Sequence, residues 1–553
     1  MKNRLNAISI FLLFVLCFSC KDDKVPPEPE IFQIEEVLID GIPKGTNAYE
    51  EVNTSSPVCI RFSSPVDRNT VAPNIEFSTS DGIRVSAEYS YEENDSLLKI
   101  NPANTLRMYS GYKINILPNL KSKSGLLIHT GKSITFATGI DSTDKFPVIS
   151  NEELLTLVQR QTFKYFWDFG HPVSGMARER STSGNTVTTG GTGFGVMAII
   201  VAVERGFVSR QDAVTRIQKM VSFLKNKCTS YHGAFAHWIN GETGATQPFG
   251  TKDNGADLVE TSFLFEGLLT ARQYFNSAGN DEQQLRNDIR QLWESIDWTW
   301  FQKNGQKALY WHWSPDYEWE MNLPVSGWNE CLITYVLAAS SPTHPISKEV
   351  YEQGWAKNGG IKNGQSYYGY PLPLGPVYGG PLFFAHYSFL GLNPKGLSDA
   401  YADYWVQNTN HALINYHHCV ANPKKYSGYS RDCWGLTASD GNAGYSAHSP
   451  SNDLGVIAPT AALASMPYTP EESMRALQFF YYKLGDLLWK EYGFTDAFNL
   501  SANWFDNQFL AIDQGPIVVM IENYRTGLLW KTFMSCPEVQ AGLIKLGFNF
   551  QIN

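Results

Sequence analysis

The sequence lacks the features that nucleic-acid-binding and membrane-spanning proteins need. Its 44 Lys and Arg are outnumbered by 54 Asp and Glu, giving a net charge of −10. Because phosphate binding requires a basic stripe and none is visible, we expect no nucleic-acid partner. After the N-terminal segment there is no apolar run of about 18 residues, the length needed to cross a bilayer. Among the six cysteines that follow Cys20 there is no Cys-x-x-Cys pair, so the common zinc and dithiol redox motifs are absent from that part of the chain.

Tryptophan is absent from the first 166 residues, although the chain has 15 Trp and is 14% aromatic. Every tryptophan lies between Trp167 and Trp530. The chain's 553 residues are enough for roughly two to four domains at about 150 residues each. The uneven composition predicts that the chemistry belongs to the later part.

The N-terminus has the pattern of an export signal. Lys2 and Arg4 precede an apolar stretch from Ile8 to Phe18, which is too short to span a membrane. The end of this stretch resembles a bacterial lipoprotein signal in which Cys20 becomes the lipidated residue. The following Lys21-Asp22-Asp23 resembles the surface-export tag of Bacteroidetes lipoproteins. We therefore expect an outer-membrane lipoprotein of a Gram-negative bacterium, facing the cell surface or the periplasm and contacting the membrane through its lipid alone.

Residues 31–140 carry short alternating apolar runs separated by turns such as Asp81-Gly82. This pattern predicts an all-β sandwich, and Phe62–Asp67 resembles the bacterial Ig-like domains that precede surface enzymes. Because no acids, histidines or tryptophans cluster there, we interpret this domain as a spacer. The predicted strands are Gln33–Ile39, Val58–Phe62, Arg84–Tyr91, Leu97–Ile100, Tyr112–Leu117 and Ser133–Thr138.

From about Asn151 the apolar period becomes helical, and short links alternate with long ones. Six links of each kind predict twelve helices in six hairpins, hence an all-α (α/α)6 barrel. Helices that follow long links are apolar nearly all round, so they should be inner and buried, with the long loops gathered over their N-termini. The predicted inner helices are Thr192–Val203, Leu258–Ala271, Val325–Ala339, Gly380–Leu390, Gly455–Leu463 and Pro516–Phe533. The predicted segments are a signal peptide (1–20), a linker (21–30), the sandwich (31–140) and the helical domain (145–553).

Six cysteines remain once Cys17 and Cys20 are assigned to the signal. We expect most of them to be small buried apolar residues, with a Cys419–Cys433 disulfide as an alternative.

The long loops hold most of the unusual aromatic and charged residues. Sugar rings stack on Trp or Tyr while their hydroxyls bond to carboxylates and arginine. A single Trp packs in a hydrophobic core more often than it forms a sugar-stacking surface. Trp311, Trp313 and Trp319, however, lie within one polar loop, which favours a binding surface. The candidate substrate-binding residues are Arg178, Arg180, Asp257, Trp311, Trp313, Trp328, Glu330, Tyr370, Trp434, Trp504, Glu522 and Tyr524.

Glycosidic hydrolysis needs one protonated and one ionised carboxyl group. Glu260 lies on an otherwise apolar helix, where a carboxylate is costly unless it faces a polar cavity. Its burial and the charge of Asp257 would raise its pKa, whereas the helix N-terminus opposes that rise. The alternatives are that Asp257 caps its helix and that Glu522 pairs with Arg525.

Five separated motifs occur at Thr162–Trp167, Ala177–Ser181, Asp257–Thr261, Ser326–Glu330 and Glu522–Arg525. Together they resemble the glucoamylase-like (glycoamylase) domain family, which overlaps glycoside hydrolase family 144, whose characterised members cleave β-1,2-glucans. The resemblance covers roughly residues 150 to 553. It implies an (α/α)6 barrel, no metal or organic cofactor, and inversion at the anomeric carbon. It also implies Glu260 as the general acid and, by its loop position, Asp440 on the base side.

The leading hypothesis is a monomeric surface glycoside hydrolase acting on an oligo- or polysaccharide, most simply a β-1,2-glucan. One alternative is an α-glucan hydrolase of the glucoamylase type. Another is a polysaccharide lyase using Tyr445, His448 and Arg431, although an acid-rich cleft would repel a uronate polymer. The third is a non-catalytic glycan-binding protein, which would leave the mid-helix position of Glu260 unexplained.

Overall fold

The computed structural model describes residues 30–43 and 49–551. Its contacts divide the chain into a small unit that ends at Ala137 and a large unit from Thr138 onward, which also includes Arg107–Ser110. The predicted signal peptide and lipidation site, Cys20, lie outside the described residues, as does all of the predicted linker except Glu30. Among the described residues, no helix has the length and apolarity that crossing a membrane requires.

The small unit is a sandwich of two sheets, ordered β2-β1-β4-β7-β6 and β3-β9-β8-β5. Val58 pairs with Ile39 on one side and with Ile100 on the other, and the inward residues along β4 are buried. The predicted β-sandwich is thereby confirmed, with three strands (β2, β3 and β5) that the alternation did not predict. The strands are β1 Ile34–Ile39, β2 Ile42–Pro43, β3 Tyr49–Val52, β4 Val58–Phe62, β5 Ile75–Thr79, β6 Ala87–Glu92, β7 Leu97–Pro102, β8 Gly111–Ile116 and β9 Lys132–Thr138, and one short helix, α1, spans Val71–Asn74.

The large unit is mainly helical, with two-stranded and three-stranded ribbons in its loops. Its helices are α2 Asn151–Trp167, α3 Thr189–Glu204, α4 Arg210–Asn226, α5 Leu258–Tyr274, α6 Asn280–Glu294, α7 Leu332–Ser340, α8 Lys348–Val350, α9 Tyr404–Ala421, α10 Pro459–Ala464, α11 Pro470–Gln478, α12 Gly485–Leu488, α13 Ala511–Arg525, α14 Leu528–Met534 and α15 Pro537–Leu546. Its strands are β10 Thr186–Thr188, β11 Trp238–Asn240, β12 Thr246–Gln247, β13 Ala256–Asp257, β14 His312–Trp313, β15 Lys362–Tyr367, β16 Tyr370–Leu374, β17 Ala438–Ser439, β18 Ser446–Ala447, β19 Trp489–Lys490, β20 Gly493–Phe494, β21 Phe498–Asn499 and β22 Trp504–Phe505.

Helices α3, α5 and α13 form the buried centre of this unit, and α3 packs against both of the others. Two glycines allow α3 and α5 to approach closely. A Cβ on Gly193 would stand 2.1 Å from the carbonyl oxygen of Phe263, and one on Gly267 would stand 2.1 Å from that of Gly193. Because these helices are apolar on nearly every side, they are buried, as predicted for the helices that follow long links.

Several predicted inner helices are shorter or less regular than expected. The span Val325–Ala339 contains α7 alone, because its start turns through Gly327 at φ +85°. Gly380–Leu390 forms 3-10 turns after Gly380 and Pro381. Gly455–Leu463 is reduced to α10, which begins at Pro459. Pro516–Phe533 is divided into α13 and α14 by Gly527, whose φ of +71° interrupts the helix.

The six described cysteines are free thiols, and Cys331, Cys419, Cys433 and Cys536 are buried. The Cys419–Cys433 disulfide alternative is therefore not the arrangement in this structure. Burial raises the pKa of both thiols, as expected for small residues packed in an apolar interior.

Candidate active site

A cavity of about 400 Å³ lies over the N-terminal ends of α3, α5 and α13. Thr188 precedes α3, Glu260 lies in the first turn of α5, and Leu510 precedes α13, so each helix presents its start to this space. The rings of Trp311 and Tyr387 form part of its wall. Such a mixture of ring faces and carboxyl groups suits a sugar.

Glu260 projects from α5 into the cavity wall and is 8% exposed. The N–H of Gly190 donates to its Oε2 at 2.8 Å, and Thr188 Oγ1 lies 3.5 Å from the same oxygen. Burial raises the pKa of Glu260, against the opposing charge of His237 and with the support of Asp257. Glu260 therefore retains its proton to higher pH than an ordinary glutamate does.

Asp257 caps α5, which confirms the alternative prediction that this residue is a helix cap. Its Oδ1 accepts from the N–H groups of Val259 (3.0 Å) and Glu260 (2.9 Å). Its Oδ2 lies 3.2 Å from His237 Nδ1 and 3.3 Å from Trp311 Nε1. Burial would raise the pKa of Asp257, but its bonds to the histidines outweigh burial and lower it. Asp257 thus orients the site and is itself fully buried.

His237 lies between the two acids, with Nε2 3.9 Å from Glu260 Oε1. Its ring stacks on Phe249 at 4.3 Å. Burial alone would lower the pKa of His237, but Glu260 and Asp257 raise it to about 9. The largest contribution to this rise comes from ionised Glu260, so proton uptake by Glu260 weakens the binding of the proton on His237.

Asp440 adjoins the cavity through the loop between Ala438 and Tyr445, both of which line it. Arg180 donates from Nη1 to Asp440 Oδ2 at 2.8 Å and also contacts Glu179 at 3.1 Å. The N–H of Asp440 donates to Oδ2 of Asp496 at 2.7 Å. Two separate bonds thus fix the carboxylate and the backbone of Asp440.

A second chamber of about 600 Å³ shares His237, Phe249 and Trp311 with the first. Glu330 lines the first chamber, where burial raises its pKa to about 7. The two chambers therefore adjoin each other at their three shared residues, and together they offer more room than a single sugar ring needs.

Four predicted substrate-binding residues belong to the protein interior or to its far side. Trp434 is fully buried with Nε1 bonded to the carbonyl of Glu472, and Trp328 packs against Phe389 and Tyr404. The other two, Glu522 and Tyr524, lie on α13.

Glu522 is 1% exposed and pairs with Arg205 through two bonds of 2.7 and 2.8 Å. Its expected alternative partner, Arg525, instead bonds to Gln159. Tyr524 is exposed near the C-terminal end of α13, about 18 Å along the helix from Ile512 on the cavity wall.

Four further predicted binding residues do not line either chamber. Arg178 lies over the ring of Phe169, and Trp313 packs in an aromatic cluster with Trp300. Tyr370 bonds to His417 at 3.1 Å, and Trp504 packs beside Val456 and Ala458. Of the predicted set, the cleft contains Arg180, Asp257, Glu260, Trp311 and Glu330.

The sequence reasoning missed several lining residues. Glu179 lies between Arg178 and Arg180, which were both predicted to bind substrate, but it was not itself predicted. Tyr445 was predicted only as a residue of the alternative lyase mechanism. His237 and Phe249 carried no helical or strand pattern that would have placed them beside Glu260. Both residues lie in the loop that precedes α5, and the course of that loop brings them beside Glu260.

Two groups of the described side chains are compact enough to surround one cation: Asp440 with Asp496 and Asp506, and His237 with Asp253 and Asp257. Each already contains a cationic protein partner, Arg180 in the first and the histidines in the second. We assign a metal to neither.

Comparison with known proteins gives two family matches. Residues 322–537 match a family described as "Putative glucoamylase", and residues 44–138 match the bacterial Ig-like domain. The chain is 48% identical over 427 residues to the exo β-1,2-glucooligosaccharide sophorohydrolase (non-reducing end) of Parabacteroides distasonis. That alignment covers 73% of this chain and 59% of the relative, so the chain spans less than two thirds of the curated protein's length.

Two solved structures match almost over their full length. One, from Bacteroides uniformis and described in the same words as the first family, is 58% identical, covers 74% of this chain and 100% of its own, and has a TM-score of 0.73. The other is the endo-β-1,2-glucanase of Chitinophaga pinensis in complex with sophorotriose and glucose. It is 56% identical, covers 73% of this chain and 99% of its own, and has a TM-score of 0.71.

Proposed function

Because the chain belongs to the glucoamylase-like family that includes bacterial β-1,2-glucanases, we propose that it is a glycoside hydrolase cleaving β-1,2-glucan or its oligosaccharides. The observation that carries this proposal is that a candidate acid and a candidate base lie at the same cleft. Glu260 is a buried carboxyl group with a raised pKa, and the Arg180–Asp440 ion pair adjoins the same aromatic-lined cavity. One acid and one base are what glycosidic hydrolysis requires.

In this mechanism Glu260 donates its proton to the glycosidic oxygen as the bond to the anomeric carbon breaks. Asp440 accepts a proton from the attacking water, either directly or through a sugar hydroxyl and a second water. The water oxygen attacks the face opposite the leaving group, so the anomeric configuration inverts. Glu260 takes its proton from solvent and burial raises the pKa with which it holds that proton, while Arg180 orients the carboxylate of Asp440.

The substrate would lie along the two connected chambers, stacking on Trp311 where they meet. At the first chamber, the guanidinium of Arg180 and the carboxyl group of Glu330 would bond to sugar hydroxyls. The combined space holds more than one sugar unit, which agrees with the oligosaccharides bound or cleaved by the relatives named above.

We also propose the (α/α)6 arrangement for the helical unit. The alternation of buried helices with amphipathic ones, and the position of the cavity over the N-termini of α3, α5 and α13, support it.

An α-glucan hydrolase is the second candidate, favoured by the family description at residues 322–537. A lyase is disfavoured because Arg180, the arginine of the first chamber, is already paired with Glu179 and Asp440. It could not neutralise a uronate without losing these bonds.

The test incubates the full chain with linear β-1,2-glucan, sophoro-oligosaccharides and starch, and identifies the products and the anomer first released. We expect cleavage of the β-1,2 substrates with inversion. Cleavage of starch alone would favour the second candidate. An unsaturated product from a uronate polymer would favour a lyase, and binding without cleavage would favour a glycan-binding protein.

Glu260→Gln should reduce turnover by roughly 10²-fold to 10⁴-fold, because the variant cannot donate the proton. Glu266→Gln is the matched control on the same helix. Glu266 is fully buried away from the cleft, burial raises its pKa, and its Oε1 accepts from the N–H of Gly391 at 2.8 Å. Full turnover by the Glu260 variant would exclude this residue as the acid.

The lipoprotein assignment of Cys20 is a separate proposal, supported by the residues of the N-terminal signal. Labelled fatty acid should enter the full chain in a Gram-negative host and should not enter the Cys20→Ser variant.

A further inference from the structure

Three carboxylate oxygens beside the cleft are buried without a hydrogen-bond donor: Oδ1 of Asp496, Oδ2 of Asp506 and Oδ2 of Asp513. The three residues are 2%, 9% and 2% exposed, respectively. A buried ionised oxygen without a donor costs several kcal/mol, so such groups normally gain a proton or a partner. Something must therefore satisfy these oxygens in the folded protein.

Asp496 and Asp513 lie within hydrogen-bonding distance of each other through their carboxyl groups. Asp496 lies just before β21, and Asp513 lies in the first turn of α13. Two ionised carboxylates in this contact have no donor between them, which explains why both have an unsatisfied oxygen. One proton placed between the two carboxyl groups would supply the donor that this contact lacks.

The charges around this pair oppose full ionisation. Arg180 is the cationic group that acts on Asp513, and it is already bonded to Glu179 and Asp440. Burial raises the pKa of Asp513 to about 7 and raises the pKa of Asp496 well above its usual range. The other titratable groups that face the pair or its neighbours are Glu179, Tyr387, Asp440, Tyr445 and Asp506.

We propose that Asp496 and Asp513 share a single proton and together position Asp440. The second oxygen of Asp496, Oδ2, accepts from the backbone N–H of Asp440 at 2.7 Å. The shared proton removes the repulsion between two buried carboxylates, so Asp496 stays where it can hold the Asp440 loop at the cavity. The positioning role rests on the proposed function, whereas the shared proton does not.

The proton itself is tested by infrared difference spectroscopy on the full chain, without substrate. Wild type minus Asp513→Asn, recorded at pH 6, should show the carbonyl band of a protonated carboxyl group that shifts in heavy water. The band should disappear as the pH rises through the upper pKa of the pair. The matched control is Asp486→Asn, at an exposed carboxylate on α12, which should give no such band. Absence of the band in the Asp513 difference overturns the shared proton.

The positioning role is tested by kinetics. Asp513→Ala leaves Asp496 without its partner and should lower kcat roughly tenfold or more, with KM little changed. Asp513→Asn retains a donor toward Asp496 but cannot lose a proton, so it should recover most of kcat at pH 6. It should also lose less activity than wild type between pH 6 and pH 8.5. Identical pH profiles for wild type and Asp513→Asn overturn the positioning role.

Two controls separate the possible failures. If the infrared band is present but no glucan is cleaved, the proposed function fails and the shared proton stands. If 1 mM CaCl₂ raises the Tm of wild type and not of Asp513→Asn, the cluster binds a cation and the shared proton is wrong (about 1 mM is a typical concentration for weak calcium sites).

Discussion

Gly190 provides a direct test of the geometry around the proposed acid, because its missing side chain is what lets Glu260 stand where it does. A Cβ on Gly190 would lie 2.5 Å from Oε2 of Glu260 and 3.0 Å from Cδ2 of Phe263. Ordinary contacts to a Cβ begin at 3.4 Å, so the carboxylate oxygen must move by about 0.9 Å. The carboxylate is the mobile end of a flexible side chain, so Gly190→Ala should fold and displace the acid.

A misplacement of about 1 Å at a reacting group costs on the order of 10²-fold in rate. We therefore expect Gly190→Ala to lower kcat by roughly this factor, with a smaller effect on KM. In the native site the hydrogen bond from the Gly190 N–H lowers the pKa of Glu260. The displaced carboxylate would lose or lengthen that bond. Losing that bond raises the pKa, so the alkaline limb of the pH–rate profile should move to higher pH.

The assay is steady-state hydrolysis of sophoro-oligosaccharides between pH 5 and 9, with the Tm of each variant recorded. Gly279→Ala is the matched control, because Gly279 has a φ of −65° and its added Cβ would meet no atom closer than 3.5 Å. The reasoning is refuted if Gly190→Ala keeps more than half of the wild-type kcat with an unchanged alkaline limb. A large loss of Tm in that variant would indicate misfolding, and Glu260→Gln, which adds no Cβ to the site, then tests the acid by itself.

Two further outcomes follow from the charges of the domain. His237→Asn should move the alkaline limb of the pH–rate profile to higher pH, because the imidazolium beside Glu260 lowers the pKa of that acid. The control His344→Asn, at an exposed histidine, should leave the limb in place. An alkaline limb that does not move in His237→Asn would contradict the coupling. Glu522→Ala should lower the free energy of unfolding by about 3 kcal/mol, because it leaves the guanidinium of Arg205 without its buried partner. Urea titration measures this loss, and a change below about 1 kcal/mol, the value of an exposed pair, would show that the ion pair does not stabilise the domain.

Much of the organisation follows from local pattern. The two-residue period before residue 140 and the helical period after 150 depend on neighbours in sequence, so the β-sandwich and the helical unit could both be predicted. Glu260 was identified for a similar reason, since a carboxylate on an apolar helix requires an explanation from burial cost alone.

The wrong predictions concern side chains whose neighbours in sequence do not indicate which way the side chain points. Trp328 and Trp434 lie in predicted loop regions as Trp311 does, yet they pack into the core while Trp311 lines the cleft. Glu522 was assigned Arg525 as an alternative because the two lie three residues apart. Its partner is Arg205, which is 317 residues away.

Local sequence pattern was enough to separate the β-sandwich from the helical unit and to identify Glu260 as a carboxylate that an apolar environment would not tolerate unaided. The tertiary structure decided which groups act on that carboxylate. Gly190 and Glu260 are 70 residues apart, Arg180 and Asp440 are 260 apart, and Asp440 and Asp496 are 56 apart. Helices buried on every side show no preferred face in their sequence, so the contacts across them arise from packing alone.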